Sequence, residues 1–174
     1  MHPILHFKTI TKHRHLVMRY CFRLGLYRQG LLHDLSKYGP TEFLLGCRYY
    51  LGYRSPNDAE RADKGYSEAW MHHKGRNKHH PEYWTDFSPS GEDVIFAAEM
   101  PKRYVAEMFC DRVAACRIYH GDNYTESDPY DYFVSSRKRV LFHPATAALL
   151  ERMLLKLRDE GEDAAFRYIR DEIL

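Results

Sequence analysis

One segment restricts the fold more than any other: PKRYVAEMFCDRVAACRIYHG, residues 101–121. Pro101 suits the start of a helix, and Gly121 suits the residue after its end. Between them, apolar side chains recur at helical spacing at Tyr104, Val105, Met108, Ala115 and Ile118. In the middle stands Asp111, next to Cys110 and two residues before a Val-Ala-Ala run. A buried carboxylate is costly unless it is paired or bound to metal. The chain therefore has to cover this helix and give its aspartate a partner.

The rest of the chain reads as further helices. Thr11 can cap a first one that runs to about Leu24, with Gly25 after it. A second runs from about Tyr27 to Tyr38 and is closed by Gly39-Pro40. TEFLLGCRYYL reads as a third. Ser55 caps a short fourth that begins with Pro56, and Ser67 caps SEAWMHHKGRNKHH, which ends before Pro81. DPYDYFVSSRKR reads as a connection followed by a short helix. Residues 144–174 form two amphipathic helices broken at Gly161. Alternating β patterns are nearly absent. The expected fold is all-α, a single helical bundle over residues 1–174, with a core at 9–120 and C-terminal helices at 144–174.

Composition narrows the function classes. With 174 residues there is enough chain for one domain with a real core. A net charge of +2 implies no global attraction to nucleic acid or membrane. No apolar run approaches the ~20 residues that span a bilayer, and MHPILHFKTITKHRH lacks the apolar stretch of a signal peptide. A cytoplasmic location is expected. Cys21, Cys47, Cys110 and Cys116 form no CxxC pair and read as reduced core thiols.

Histidine is abundant, with eleven residues, nine of them in the first half. The helical neighbours of His13 are Leu16, Val17, Tyr20 and Leu24, mostly apolar, so His13 points to the core. Those of His15 are mixed, so His15 lies nearer solvent. His33 and Asp34 are adjacent in GLLHDLSKYGP. Neighbours on a helix diverge by ~100°, so both reach one ion only if it sits beside the helix edge. The two oxygens of an aspartate can also bridge two ions. Neutral imidazoles with carboxylates form a donor set suited to Fe, Mn, Co, Ni or Zn. The residues read as one histidine from the first helix, His-Asp from the second and Asp111 from the late helix, converging on a divalent ion.

The order H…HD…D, with LLHDLSK, resembles the HD-domain superfamily of metal-dependent phosphohydrolases. The similarity is closest to a bacterial family of uncharacterised HD-like proteins, carried by GLYRQGLLHDLSKYGPTEF, HHKGRNKHHPEYW and MPKRYVAEMFCDRVAA. The resemblance implies an HD-type helical fold with metal held by His13, His33, Asp34 and Asp111. The spacing of twenty residues between His13 and the His-Asp pair is shorter than in many members, which leaves His13 and His15 as alternatives, with the face argument favouring His13. Binuclear HD proteins carry extra histidines between the His-Asp and the last Asp. Here His72, His73, His79 and His80 occupy that place, with His73 and His80 as the expected ligands. The members of each pair are seven apart, ~10 Å along a helix, so one ion takes both only if the helix breaks at Gly75.

The expected activity is hydrolysis of a small phosphate ester, such as a nucleotide, by a metal-activated water. One or two ions are implied. Asp34 is expected to orient the water, His73 to protonate the leaving group, and Lys37, Arg76, Lys78, His72 and His79 to bind substrate. Two rival readings use the same residues: a di-iron oxygenase of HD type, and a metal-stabilised module that senses a nucleotide without turning it over. Nucleic acid and membrane are not expected as partners, while a homo-oligomer is compatible with the C-terminal helices.

Overall fold

The computed structural model describes residues 1–88, 90–91 and 94–174. Its helices are, in order, α1 (Pro3–Arg23), α2 (Tyr27–Leu32), α3 (Pro40–Arg48), α4 (Pro56–Lys64), α5 (Glu68–Lys74), α6 (Lys102–His120), α7 (Asp128–Ser136), α8 (Pro144–Glu160) and α9 (Glu162–Tyr168). A 3-10 turn covers Leu35–Tyr38, and α9 runs into a π turn over Ile169–Ile173. The architecture is all-α apart from a small antiparallel hairpin, β1 (Thr85–Phe87) with β2 (Ile95–Ala97), paired with Asp86 opposite Phe96.

The long helix α6 forms the axis of the bundle. Val105, Ala106, Met108, Phe109, Cys110, Val113, Ala114 and Cys116 are all buried, so the helix is covered on most of its circumference. On one side α1 packs against it through Val17, Tyr20 and Cys21, which recur at helical spacing. On the other side α8 contributes Leu149, Leu150, Met153, Leu154 and Leu157. Phe133, Phe166 and Ile169 from α7, α9 and the π turn join the same apolar cluster. All four cysteines are buried and unpaired. Among the described residues no helix is long and apolar enough to cross a membrane.

Several caps fall where side-chain chemistry puts them. Ser55 Oγ accepts the Asn57 amide and Ser67 Oγ accepts the Trp70 amide. Gly161, with φ of 87°, separates α8 from α9. Other expectations are corrected. The first helix begins at Pro3, not Thr11; Thr11 lies inside it and its hydroxyl meets that of Tyr38 at 3.0 Å. Pro40, in the first turn of α3, starts that helix one residue earlier than TEFLLGCRYYL suggests, and it stops at Arg48. The second helix does not continue to Tyr38. It stops at Leu32, and Asp34 takes a left-handed conformation with φ of 53°, the only positive φ outside glycine among the described residues. The hairpin was not expected, because its strands are three residues long and mostly exposed, with no alternating pattern.

Candidate metal centre

The break at Asp34 decides how this corner of the fold works. Within one helix His33 and Asp34 would point ~100° apart. With the helix ended and the next residue left-handed, both side chains turn inward, 2% and 1% exposed. They face α6, where Glu107 and Asp111 lie one turn apart on the side packed against α1.

Two sets of donor atoms meet there and share Asp34. The first is His13, His33, Asp34 and Asp111; the second is Asp34, His73, His79 and His80. Within each, one ligand atom per residue lies within 4.8 Å of all the others. In the first set, Asp111 Oδ1 is 3.0 Å from His13 Nε2 and 3.5 Å from His33 Nε2, and Asp34 Oδ2 is 3.4 Å from His33 Nε2. In the second, Asp34 Oδ1 is 3.3 Å from His73 Nε2 and 3.5 Å from His79 Nε2, and the Nε2 atoms of His73 and His80 are 2.9 Å apart. Donors each about 2.1 Å from one ion in tetrahedral or octahedral arrangement are roughly 3.0–3.5 Å from one another. One oxygen of Asp34 therefore faces each set.

Buried polar atoms short of hydrogen bonds support the same reading. Nε2 of His33 and His79 and Oδ1 of Asp34 are buried and make no hydrogen bond, while Asp34 Oδ2 meets only Lys37 and His13 Nε2 only acidic oxygens. Such atoms are rare in native interiors and ask for an explanation. A cation at each set satisfies them together.

A second layer of carboxylates turns the rings. Glu107 Oε1 accepts from His33 Nδ1 at 2.9 Å and stands 3.2 Å from His79 Nδ1. Glu42 accepts from His72 Nδ1 at 2.6 Å and from His73 Nδ1 at 2.8 Å. With Nδ1 engaged by a carboxylate, Nε2 of His33, His73 and His79 is turned toward the donor sets, as outer-shell carboxylates arrange rings in metal sites.

Electrostatics keep the acids ionised. Burial alone would raise the carboxyl pKa of Asp34, but His33, Lys37 and His73 hold it well below the ordinary value. For Asp111, burial is likewise outweighed by His13 and His33. Burial lowers the pKa of His13 against the pull of Asp111, and it takes His80 far down, with His79 and His73 adding to the effect. His33 goes the other way: Asp34, Asp111 and Glu107 overcome burial and raise it.

Each residue expected from the sequence can now be placed. His13 belongs to the first set and His15 is exposed, which separates those alternatives. α5 ends at Lys74, before Gly75, so His73 and His80 meet although seven residues apart. His79, expected at the substrate, stands among the donors. His72 is tied to Glu42 outside both sets. Lys37 Nζ pairs with Asp34 Oδ2 at 2.6 Å and keeps about a quarter of its side chain exposed. Arg76 is exposed and donates to the His72 carbonyl, while Lys78 lies over the Tyr83 ring at 5.5 Å. Glu42 and Glu107 were missed. Glu107, one turn before Asp111 on the same face, was the available signal.

The model of a family of unknown function (DUF5662) matches residues 3–156, and the chain belongs to that family. No curated protein and no solved structure matches it.

Proposed function

For this member of DUF5662 we propose a two-metal phosphohydrolase of HD type that acts on a small phosphate ester. The observation that carries the reading is the sharing of Asp34, with one oxygen toward each of two buried donor sets. His13, His33, Asp34 and Asp111 would hold one divalent ion, and Asp34, His73, His79 and His80 the other. Imidazole and carboxylate donors suit Fe, Mn, Co, Ni or Zn. Bound there, such ions supply Lewis-acid polarisation of the phosphoryl group and a water of lowered pKa.

The chain's own residues orient and neutralise. Lys37, about a quarter exposed and paired with Asp34, is placed to meet a phosphoryl oxygen that arrives beside Asp34. Asp111, whose side chain is 17% exposed, marks the open side of the first set. Glu107 and Glu42 fix the rings that face the ions. Arg76 and Lys78 have no ion pair or hydrogen bond to either donor set among the described residues, so Lys37 carries the phosphate role in this proposal.

The test is elemental analysis of protein purified without chelator. The expected result is about two equivalents of metal, falling to well below one in Asp34→Ala, because that substitution removes a ligand from both sets. Equal, negligible metal in both proteins ends the proposal. The histidine-rich second set also suits a di-iron oxygenase. Phosphate release without oxygen favours hydrolysis; oxygen consumption by the iron form favours the rival.

A further inference from the structure

The net charge of +2 hides an uneven distribution. Residues 1–33 hold Lys8, Lys12, Arg14, Arg19, Arg23 and Arg28 and no aspartate or glutamate, so all 24 acidic residues lie beyond them. Arg14 and Arg23 are engaged: Arg14 donates to the Leu31 carbonyl, and Arg23 pairs with Glu162 and Asp163. Lys8, Lys12, Arg19 and Arg28 have no ion pair or hydrogen bond among the described residues.

The helix α1 gathers three of these free cations on one face. Lys8, Lys12 and Arg19 recur at spacings of four and seven residues, and Ile4, Phe7 and Phe22 share their sector. All six are exposed, Ile4 by 69% and Phe7 by 49%. The opposite face, with His6, Ile10, His13 and Val17, is buried in the bundle. The neighbouring α2 extends the apolar side. The rings of Phe22 and Tyr27 lie 5.3 Å apart, and Tyr27 and Leu31 are themselves exposed. Of the 22 large apolar side chains exposed among the described residues, nine fall within residues 1–35. Apolar surface is therefore concentrated where the charge is purely positive, and such concentrations mark interaction sites.

The combination selects the partner. A nucleic-acid duplex would use the cations but leave the apolar row in water. A second copy docked through the same face would bring like charges together. An anionic lipid surface uses both features: its headgroups meet the lysines and arginine, and the apolar side chains enter the headgroup–acyl boundary, ~5–10 Å deep. At ~1.5 Å per residue, α1 offers roughly 30 Å of contact along the surface. No helix among the described residues is long and apolar enough to cross a membrane, so the attachment is peripheral.

We propose that the exposed face of α1, with the adjoining side of α2, docks the protein on an anionic lipid bilayer. The expectation against a membrane partner came from net charge alone; the placement of the charges supports the opposite. The inference is independent of the metal centre, although His13 of the first donor set lies on the buried face of the same helix.

Vesicle flotation with the full chain tests it. The protein should float with phosphatidylcholine vesicles that contain about 30% phosphatidylserine, should not float with phosphatidylcholine alone, and should detach as salt rises. At about fivefold per cation, Lys8→Glu, Lys12→Glu and Arg19→Glu together should weaken binding at least tenfold. Ile4→Ser with Phe7→Ser should weaken it severalfold while the charge is kept. All five positions are exposed, and circular dichroism checks that the variants fold. Failure to bind the anionic vesicles, equal binding to the neutral ones, or binding that survives either set of substitutions overturns the inference. A labelled DNA duplex that binds where the vesicles do not overturns it as well and assigns the cations to nucleic acid.

Discussion

Asp34 holds a left-handed backbone, which costs a residue with a Cβ about 1 kcal/mol or more. The cost recurs only at this position outside glycine among the described residues, and it falls on the side chain shared by both donor sets. Strain of this kind persists where the surroundings over-determine it, and it clusters at functional sites. Nothing in LLHDLSK announces it, since aspartate is also ordinary within a helix end. The donor residues themselves were legible, because imidazoles and carboxylates at the edges of apolar helical faces are costly without partners. Glu42 was not, since an acidic residue in a helix is usually solvated and only tertiary packing decides that it is buried; Glu107 was signalled only by its place one turn before Asp111. Glu107 yields a direct test at this scale. Glu107→Gln keeps the shape but takes the negative charge from the oxygen that faces both rings. Metal affinity should fall 10- to 100-fold in competition with a chromogenic chelator. An unchanged affinity would show that the rings need no such support.

At the level of elements, α5 brings His72 and His73 to the centre, and its N-terminus is held from α4. Glu60 is buried and accepts from Ser67 Oγ at 2.7 Å, from the Ala69 amide at 3.3 Å and from Lys64 Nζ at 3.0 Å. Burial alone would raise its pKa, but these donors bring it below 4.5. A carboxyl with a depressed folded-state pKa stabilises fully above its unfolded pKa, and the contribution fades as pH falls through the lower folded value. Glu60→Gln should cost about 1–3 kcal/mol in urea denaturation at pH 7. The gap to the parent protein should close once the pH is taken well below 4.5; a gap of constant size would assign the loss to packing instead of charge. Ser67 as the cap of α5 was readable in the sequence, because a serine oxygen and a helix amide make a local contact. The start of α1 was less so. Thr11 has the chemistry of a cap, yet the buried stripe of His6, Ile10, His13 and Val17 begins earlier and Pro3 fits the first turn. The hairpin was illegible for a different reason: strands of three residues, mostly exposed, carry no periodicity to detect.

Across the whole molecule, the ligands come from α1, the two residues after α2, the end of α5, the segment that follows α5, and α6, so any bound ion ties together segments far apart in the chain. An ion that binds only the folded state adds its binding free energy to stability. At free metal a thousandfold above the dissociation constant this is about 4 kcal/mol, a rise of roughly 10 °C in the unfolding midpoint for a chain of this size. Scanning calorimetry with and without chelator should show it, and coincident traces would mean that the donor sets bind nothing of consequence. Glu107 adds a feature that no single set possesses. One of its oxygens steadies a ring from each, and Asp34 reaches into both. Whatever settles the first position thereby removes freedom from the groups that await the second. Occupancy should climb steeply and cooperatively, and protein given half its metal complement should be a mixture of empty and doubly filled molecules, with few singly filled ones.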